Sequence, residues 1–123
     1  MIKEIAFTVY PAKDVKKLAD FYAGVLGLNL TNKFEEDGKL QYAEFTVGKD
    51  GYFGVMPSEW MDREPGSASG IGFEVEDIEA WLKTLESKGV KIEKPYDTPV
   101  CRISSILDPE GNKVTFHQTT VAH

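Results

Sequence analysis

Two glutamates and one histidine are the residues of this chain best suited to chemistry. Glu44, Glu74 and His117 lie on three separate strand-like stretches, and carboxylate and imidazole groups are donors that divalent metals accept in three-ligand sites. His117 alone also has the chemistry of a proton shuttle or a single metal ligand. The competing interpretation is structural, with a hydrogen-bonded histidine and two carboxylates on a solvated surface.

Cys101 and Trp60 are further candidates for a functional role. Cys101 precedes Arg102, a cation that would favour a reactive thiolate, but the sequence places no His or Asn partner for it, which favours a small buried residue. Its role is not assigned. Trp60 lies in an irregular stretch, where an exposed aromatic side chain often covers a pocket or a partner surface. Trp81, in contrast, is predicted to be a core residue of a helix.

Two apolar series with helical spacing determine how these residues are positioned. Each series begins at an aspartate suited to an N-cap, Asp14 or Asp77, and each ends at a glycine, Gly27 or Gly89. The apolar positions recur at i, i+3, i+4 and i+7, as on one face of a helix. They are Val15, Leu18, Ala19 and Tyr22 in the first series, and Ile78, Trp81, Leu82 and Leu85 in the second. We therefore predict helices over 14–26 and 77–88, and a chain that repeats one unit.

Strand-like stretches follow the same repeat. We predict strands over 5–12, 29–34, 40–47 and 52–56 in the first copy, and over 70–76, 90–93, 102–107 and 113–118 in the second. The order βαβββ therefore occurs twice in one α+β domain, with module one at 1–57, a linker at 58–69 and module two at 70–123. The residues of 108–112 are typical of a tight turn, so Asp108 and Asn112 are predicted to be structural.

Strand alternation predicts which side chains line a cleft between the two copies. Side chains alternate between the faces of a strand, so a packed face formed by Ala43 and Phe45 leaves Tyr42 and Glu44 on the other face. A mixed surface of apolar walls and a few polar groups is typical of a small-molecule site. The predicted ligand-binding residues are Phe7, Val9, Tyr42, Glu44, Met56, Trp60, Glu74 and His117.

Composition excludes several classes of function. The 123 residues carry a formal net charge of -6, which argues against binding to nucleic acid or to an anionic membrane surface. A single cysteine allows no internal disulfide, so a secreted disulfide scaffold is not expected. The sequence contains neither an apolar run that would span a bilayer nor a signal peptide at its start. We expect a cytoplasmic protein.

The residues at the helix ends and turns resemble those of the vicinal oxygen chelate superfamily, which includes glyoxalase I, bleomycin-resistance proteins and extradiol dioxygenases. The stretch 98–102 further resembles a glyoxalase-like subgroup of that superfamily. The resemblance covers nearly the whole chain and implies two curved sheets that form a half-barrel cup, with helices outside. The motifs that carry it are 14–15, 21–22, 25–28, 75–77, 88–90 and 108–112.

The resemblance also implies where a metal would be bound. Metal-dependent relatives place a carboxylate, His or Gln ligand on the first and last strand of each copy. Those positions here fall on Phe7, on Gly70, within 54–56 and on Thr115, none of which is a usual ligand. We therefore expect no metal at these positions and no cofactor.

Two functions from different classes follow from the resemblance. The first is a metal-free protein of the bleomycin-resistance type that binds a small aromatic or cationic compound in the cup. The second is a glyoxalase-like lyase, isomerase or dioxygenase with a divalent metal at a displaced site built from Glu44, Glu74 and His117. Relatives commonly form homodimers, and we expect the same here.

Overall fold

The computed structural model describes residues 1–121, which form two compact units, Met1–Ala68 and the chain from Ser69 onward. Each unit contains one open four-stranded sheet with a helix packed on it. The predicted α+β class with two βαβββ copies is confirmed. Within residues 1–121, no helix has both the length and the apolar character needed to cross a bilayer.

The first unit has the strand order β1-β4-β3-β2, in which β1 is parallel to β4 and the other neighbours are antiparallel. A short helix follows the last strand, in a stretch predicted to be linker. The elements are β1 (Thr8–Ala12), α1 (Val15–Asp20), β2 (Asn29–Glu36), β3 (Lys39–Val47), β4 (Gly51–Pro57) and α2 (Ser58–Met61).

The first helix begins as predicted and changes its geometry before it ends. The Asp14 carboxylate accepts the Lys17 backbone N–H at 3.1 Å, which confirms the predicted N-cap. The chain is α-helical only as far as Asp20, and Phe21–Val25 forms a π-helical segment in which the Leu26 N–H donates to the Phe21 carbonyl at 3.2 Å. The helical segment then ends at Gly27, whose φ of +73° is a conformation that glycine adopts without strain.

Four aromatic rings fill the space between the first sheet and α1. Phe53 of β4 lies at the centre, with ring centroids 4.7 Å from Tyr22 and 5.2 Å from Tyr10. Phe45 of β3 completes the cluster, and all four residues are buried. Ala43 is buried on the same face of β3, so the predicted alternation in that strand is confirmed.

The second unit repeats this plan with the strand order β5-β8-β7-β6. The Asp77 carboxylate accepts the Ala80 backbone N–H at 3.1 Å, and Trp81 packs edge-on against Phe116 with ring centroids 5.6 Å apart. Phe73 and Phe116 are both buried beneath the helix. The elements are β5 (Ile71–Glu74), α3 (Ile78–Ser87), β6 (Tyr96–Asp97), β7 (Cys101–Leu107) and β8 (Lys113–Thr119).

One predicted strand is wrong. The stretch 90–93 is not a strand, and the edge strand of the second sheet is β6, at Tyr96–Asp97. Glu93 does contact β7, because its N–H donates to the Ser105 carbonyl at 2.9 Å and its carbonyl accepts the Ser104 hydroxyl at 2.6 Å. Pro95 follows and has no N–H to continue such a ladder.

The first predicted strand is too long at its start. Pairing of β1 with β4 begins at Thr8 and Phe53, so Ile5 and Phe7 precede the strand and are exposed. The predicted turn at 108–112 is confirmed, since the Asp108 carboxylate accepts the backbone N–H groups of Glu110 and Asn112 at 3.0 Å each. Asp108 and Asn112 are buried and serve this turn.

Candidate functional site

The face of the first sheet opposite α1 carries four of the eight predicted site residues. One row of paired residues crosses all four strands on this face, with Val9, Gly54, Glu44 and Asn32 side by side. Side chains two residues along a strand share a face, so Met56 and Tyr42 lie on the same side. Hereafter this surface of β1 to β4 is called the open face.

Tyr42 and Glu44 form a hydrogen-bonded pair on the open face. The Tyr42 hydroxyl donates to Glu44 Oε2 at 2.6 Å, a short distance typical of a bond to a charged carboxylate. The Tyr42 ring lies over Gly54 of the neighbouring strand. A Cβ atom at position 54 would lie 2.9 Å from the Tyr42 hydroxyl oxygen and 3.0 Å from its Cε1 atom. The pair therefore depends on a strand residue with no side chain.

Burial and the adjacent carboxylate both oppose ionisation of the Tyr42 phenol. Partial burial is the larger cause, followed by the hydrogen bond to Glu44 and the negative charge of Glu44, and together they raise the pKa of Tyr42 to about 12. Tyr42 is therefore a neutral hydrogen-bond donor to Glu44 at physiological pH.

A pH titration of tyrosinate absorbance tests this pair. We expect Tyr42 to contribute a component that ionises near pH 12, and we expect this component to be absent from Tyr42→Phe. Because the pKa in the folded state exceeds the ordinary value of 10.0, the stabilisation is complete below pH 10.0 and is lost as the pH rises towards about 12. In Glu44→Gln the component should move to lower pH. Circular dichroism at each pH would report whether the fold persists, and a Tyr42 component that is unchanged in Glu44→Gln would contradict the pair.

Three further predicted site residues belong to the first unit. Met56 is half-buried on β4, whereas Phe7 and Trp60 are 55% and 53% exposed. Phe7 was predicted to lie on the first strand, but it precedes β1. Trp60 lies on α2, the short helix that directly follows β4. The unit thus exposes two large aromatic side chains outside its sheet.

The second sheet brings Glu74 and His117 together. They are paired in register on β5 and β8, and His117 Nδ1 lies 2.5 Å from Glu74 Oε1. The other carboxylate oxygen of Glu74 accepts the Thr119 backbone N–H at 2.8 Å. In the next row on the same face, the hydroxyl groups of Ser105 and Thr115 lie 3.0 Å apart.

These contacts stabilise the charged form of Glu74. The hydrogen bond from the Thr119 backbone is the larger cause and the contact with His117 is the next, and both lower the pKa of Glu74 below its ordinary value of 4.5. A group with a lowered pKa stabilises the fold above its ordinary value and loses that contribution as the pH falls through the lowered value.

Replacing Glu74 should therefore have an effect that depends on pH. We expect Glu74→Gln to melt below wild type at neutral pH, and we expect the difference in Tm to shrink as the pH falls below 4.5. Glu76→Gln, which removes an exposed carboxylate two residues along the chain, is the matched control. A difference in Tm that persists unchanged to low pH would show that the Glu74 carboxylate is not responsible.

Comparison with known proteins places this architecture in a family. A family model described as the Glyoxalase/Bleomycin resistance protein/Dioxygenase superfamily matches residues 4–116. The chain belongs to this superfamily. Lactoylglutathione lyase from Pseudomonas aeruginosa is 27% identical over 143 aligned residues, which cover 93% of this chain and 81% of that protein.

Two solved structures from Streptomyces sp. CB03234 share the superfamily fold. TnmS3, described as an antibiotic-binding protein, is 24% identical with a TM-score of 0.85, and the match covers 97% of this chain and 98% of that one. A glyoxalase/bleomycin resistance protein is 25% identical with a TM-score of 0.80, covering 94% of this chain and 100% of that one. The match of the family model to residues 4–116 confirms the predicted superfamily.

Glu44 and Glu74 both have hydrogen-bond partners within their own units. One oxygen of Glu44 is bonded to Tyr42, and both oxygens of Glu74 are bonded, to His117 and to Thr119. Across residues 1–121, no group of three or more His, Cys, Asp or Glu side chains is arranged to hold a metal ion. The row that would supply a ligand from β4 contains Gly54, which has no side chain.

Two open depressions are bordered by charged residues. The first, of about 530 Å³, lies beside α2 and is bordered by Glu59, Asp62 and Arg63. The second, of about 690 Å³, lies at the start of α3, where Arg102 forms ion pairs with Glu79 and Asp97. Neither depression contains the Tyr42–Glu44 pair or the Glu74–His117 pair.

The structure thus assembles two of the predicted site residues in each unit as bonded pairs. Val9 lies next to Gly54, and Gly54 is the participant that sequence reasoning missed. A glycine inside an apolar strand was the available signal, since such a residue often marks a close approach. Cys101 is buried, with its sulfur 3.0 Å from the Thr98 hydroxyl.

Proposed function

We propose that this chain binds a small aromatic or cationic compound at its sheet faces, without a resident metal and without transforming the compound. The observation that carries the proposal is the Tyr42–Glu44 pair on the open face, which is a polar anchor bordered by the apolar side chains of Val9 and Met56. Such a combination suits a small organic ligand, because apolar walls supply affinity and a few polar groups fix its orientation.

Superfamily membership supports small-molecule binding in general. TnmS3, which has the same fold, is described as an antibiotic-binding protein. We propose Phe7 and Trp60 as exposed aromatic contacts for a ligand of the first unit, and Glu74 and His117 as polar contacts for a ligand of the second. The predicted homodimer and cytoplasmic location stay predictions.

A metal-dependent enzyme is the second candidate. The Glu74–His117 contact favours it, because a carboxylate that accepts the Nδ1–H of histidine leaves Nε2 available as a base or a ligand. Lactoylglutathione lyase from Pseudomonas aeruginosa, at 27% identity, is an enzyme by its name. This candidate requires further donors beyond the pair.

Elemental analysis and thermal shift discriminate the two candidates. We expect protein purified without chelator to contain no stoichiometric Mn, Fe, Ni or Zn. We also expect the Tm of EDTA-treated protein to rise with para-biphenylmethylammonium, because a ligand that binds only the folded state stabilises it, by about 2.7 kcal/mol at a hundred times Kd. A stoichiometric, tightly held metal in the wild type would overturn the metal-free proposal.

Tryptophan fluorescence tests the position of the ligand. Trp60 is 53% exposed on α2, whereas Trp81 packs against Phe116 beneath the second sheet. We expect para-biphenylmethylammonium to change the emission of wild type and of Trp81→Phe, and we expect Trp60→Phe to lose the response. An unchanged response in Trp60→Phe would remove Trp60 from the site.

A further inference from the structure

The Tyr42–Glu44 pair offers a ligand only hydrogen-bond acceptors. The one proton of the Tyr42 hydroxyl is donated to Glu44 Oε2, so the phenol oxygen retains only lone pairs for other partners. The ionised carboxylate of Glu44 has no proton to donate, and its Oε1 atom is not the one that receives the Tyr42 proton. A ligand that contacts the pair must therefore supply the protons.

The pair also carries one negative charge that no charged side chain of β1, β3 or β4 neutralises. On β1, β3 and β4, Glu44 is the only Asp, Glu, Lys or Arg whose side chain shares the open face. Among the ion pairs of residues 1–121, none includes Glu44. A cation that contacts Glu44 Oε1 would therefore compete with no charged side chain of β1, β3 or β4 for the carboxylate.

Aromatic and apolar surface surrounds this charge. The Tyr42 ring approaches Gly54 closely, with its Cε1 atom 3.0 Å from the position that a Cβ atom at 54 would occupy. Phe34 pairs in register with Tyr42 from β2 and is 48% exposed. A planar ligand on this surface would cover apolar area and place a substituent at the carboxylate.

We propose that Tyr42 and Glu44 select ligands in which an aromatic ring carries a protonated amine on a methylene substituent, with the N–H groups donating to Glu44 Oε1 and to the Tyr42 hydroxyl oxygen. This inference rests on the proposed function and narrows its ligand class from aromatic or cationic compounds to compounds that are both. Gly54 supports the selection because it leaves room for the Tyr42 ring.

Three ligands that share one ring system and differ in charge test the inference. The probes are para-biphenylmethylammonium, para-biphenylmethanol and para-biphenylcarboxylate, titrated into the protein by calorimetry at neutral pH in the presence of EDTA. We expect wild type to bind the ammonium compound at least about tenfold more tightly than the alcohol, and the alcohol more tightly than the carboxylate, since a hydrogen bond to a charged group favours the cation by this factor or more.

Two variants with the same change in net charge separate direct contact from long-range electrostatics. Glu44→Gln keeps the shape of the side chain and should abolish the preference for the ammonium compound, while leaving affinity for the alcohol within about twofold. Glu36→Gln removes an exposed carboxylate at the end of β2, and this variant should retain the preference for the ammonium compound. Tyr42→Phe should lower the affinity for the ammonium compound by several fold and leave the affinities for the other two probes unchanged.

The outcomes distinguish this inference from the proposed function. Equal binding of all three probes by wild type would overturn the inference and leave the proposed function supported. A preference that survives in Glu44→Gln, or that disappears equally in Glu36→Gln, would also overturn the inference. If wild type binds none of the three probes, the proposed function fails and the inference fails with it.

Discussion

Phe53→Ala should lower the free energy of unfolding by about 3–5 kcal/mol, the usual cost of removing a buried aromatic ring. Phe53 is 1% exposed and contacts the rings of Tyr10, Tyr22 and Phe45 between the first sheet and α1. Its loss leaves a cavity beneath the strand that carries Gly54. Urea denaturation followed by circular dichroism measures the effect.

Tyr52→Ala is the matched control, because Tyr52 is the preceding residue of β4 and points to the opposite face. Tyr52 is 45% exposed, so its replacement should cost about 1 kcal/mol or less, within the range of strand propensities. Equal destabilisation by the two variants would contradict the assignment of one face of β4 to the core and the other to the open face.

Gly54→Ala should disrupt the Tyr42–Glu44 pair. The added Cβ atom would lie 2.9 Å from the Tyr42 hydroxyl oxygen and 3.2 Å from the Ala43 backbone oxygen, so the ring must move away. We expect affinity for para-biphenylmethylammonium to fall about tenfold or more, because the charge-assisted contacts lose their geometry. We also expect the pKa of Tyr42 to fall from about 12 towards 10.0. The free energy of unfolding should decrease by about 1–3 kcal/mol, as is typical of overpacking.

A glycine in the second sheet provides the control for this substitution. Gly72 lies on β5, and a Cβ atom there would have nothing within 4 Å. Gly72→Ala should therefore be neutral, or stabilising by about 0.4–1 kcal/mol through the unfolded state. The double variant Gly54→Ala with Tyr42→Ala should recover most of the stability lost in Gly54→Ala, as expected for two residues in contact. If the double variant recovers none of the lost stability, the destabilisation by Gly54→Ala does not come from the close approach of Tyr42 to Gly54.

Local chemistry explains which parts of the fold could be predicted. Asp14 and Asp77 cap their helices because a carboxylate bonds N–H groups within the next turn, and this interaction needs only neighbouring residues. The faces of β3 follow from the two-residue period of a strand, which separates Ala43 and Phe45 from Tyr42 and Glu44. These features depend on short sequence distances.

The errors in prediction arise where distant partners decide the structure. The stretch 90–93 has strand-like composition, but β7 pairs instead with Tyr96–Asp97. Propensity does not determine such a choice, because pairing depends on the partner strand. In the first unit, the start of β1 is set by the point at which β4 begins to pair with it, which the composition of 5–7 does not encode.

The sequence was sufficient to choose the candidate site residues but not to predict which of them form hydrogen-bonded pairs. Alternation placed Tyr42 and Glu44 on one face, yet their hydrogen bond depends on the space above Gly54, which belongs to another strand. Glu74 and His117 are 43 residues apart in sequence, and only the parallel pairing of β5 with β8 brings them together. The three-ligand arrangement of Glu44, Glu74 and His117 stays a prediction, and in the first unit Glu44 accepts a hydrogen bond from Tyr42.

The most direct test is to map ligand contacts on EDTA-treated protein whose metal content has been checked by elemental analysis. Para-biphenylmethylammonium would be titrated into isotope-labelled protein and followed by amide and side-chain chemical shifts. We expect saturable shifts at Val9, Tyr42, Glu44 and Met56 on the open face, with residues of the aromatic core such as Phe45 little changed. Shifts that appear only after a divalent metal is added, or that avoid the open face, would contradict a metal-free site built on Tyr42 and Glu44.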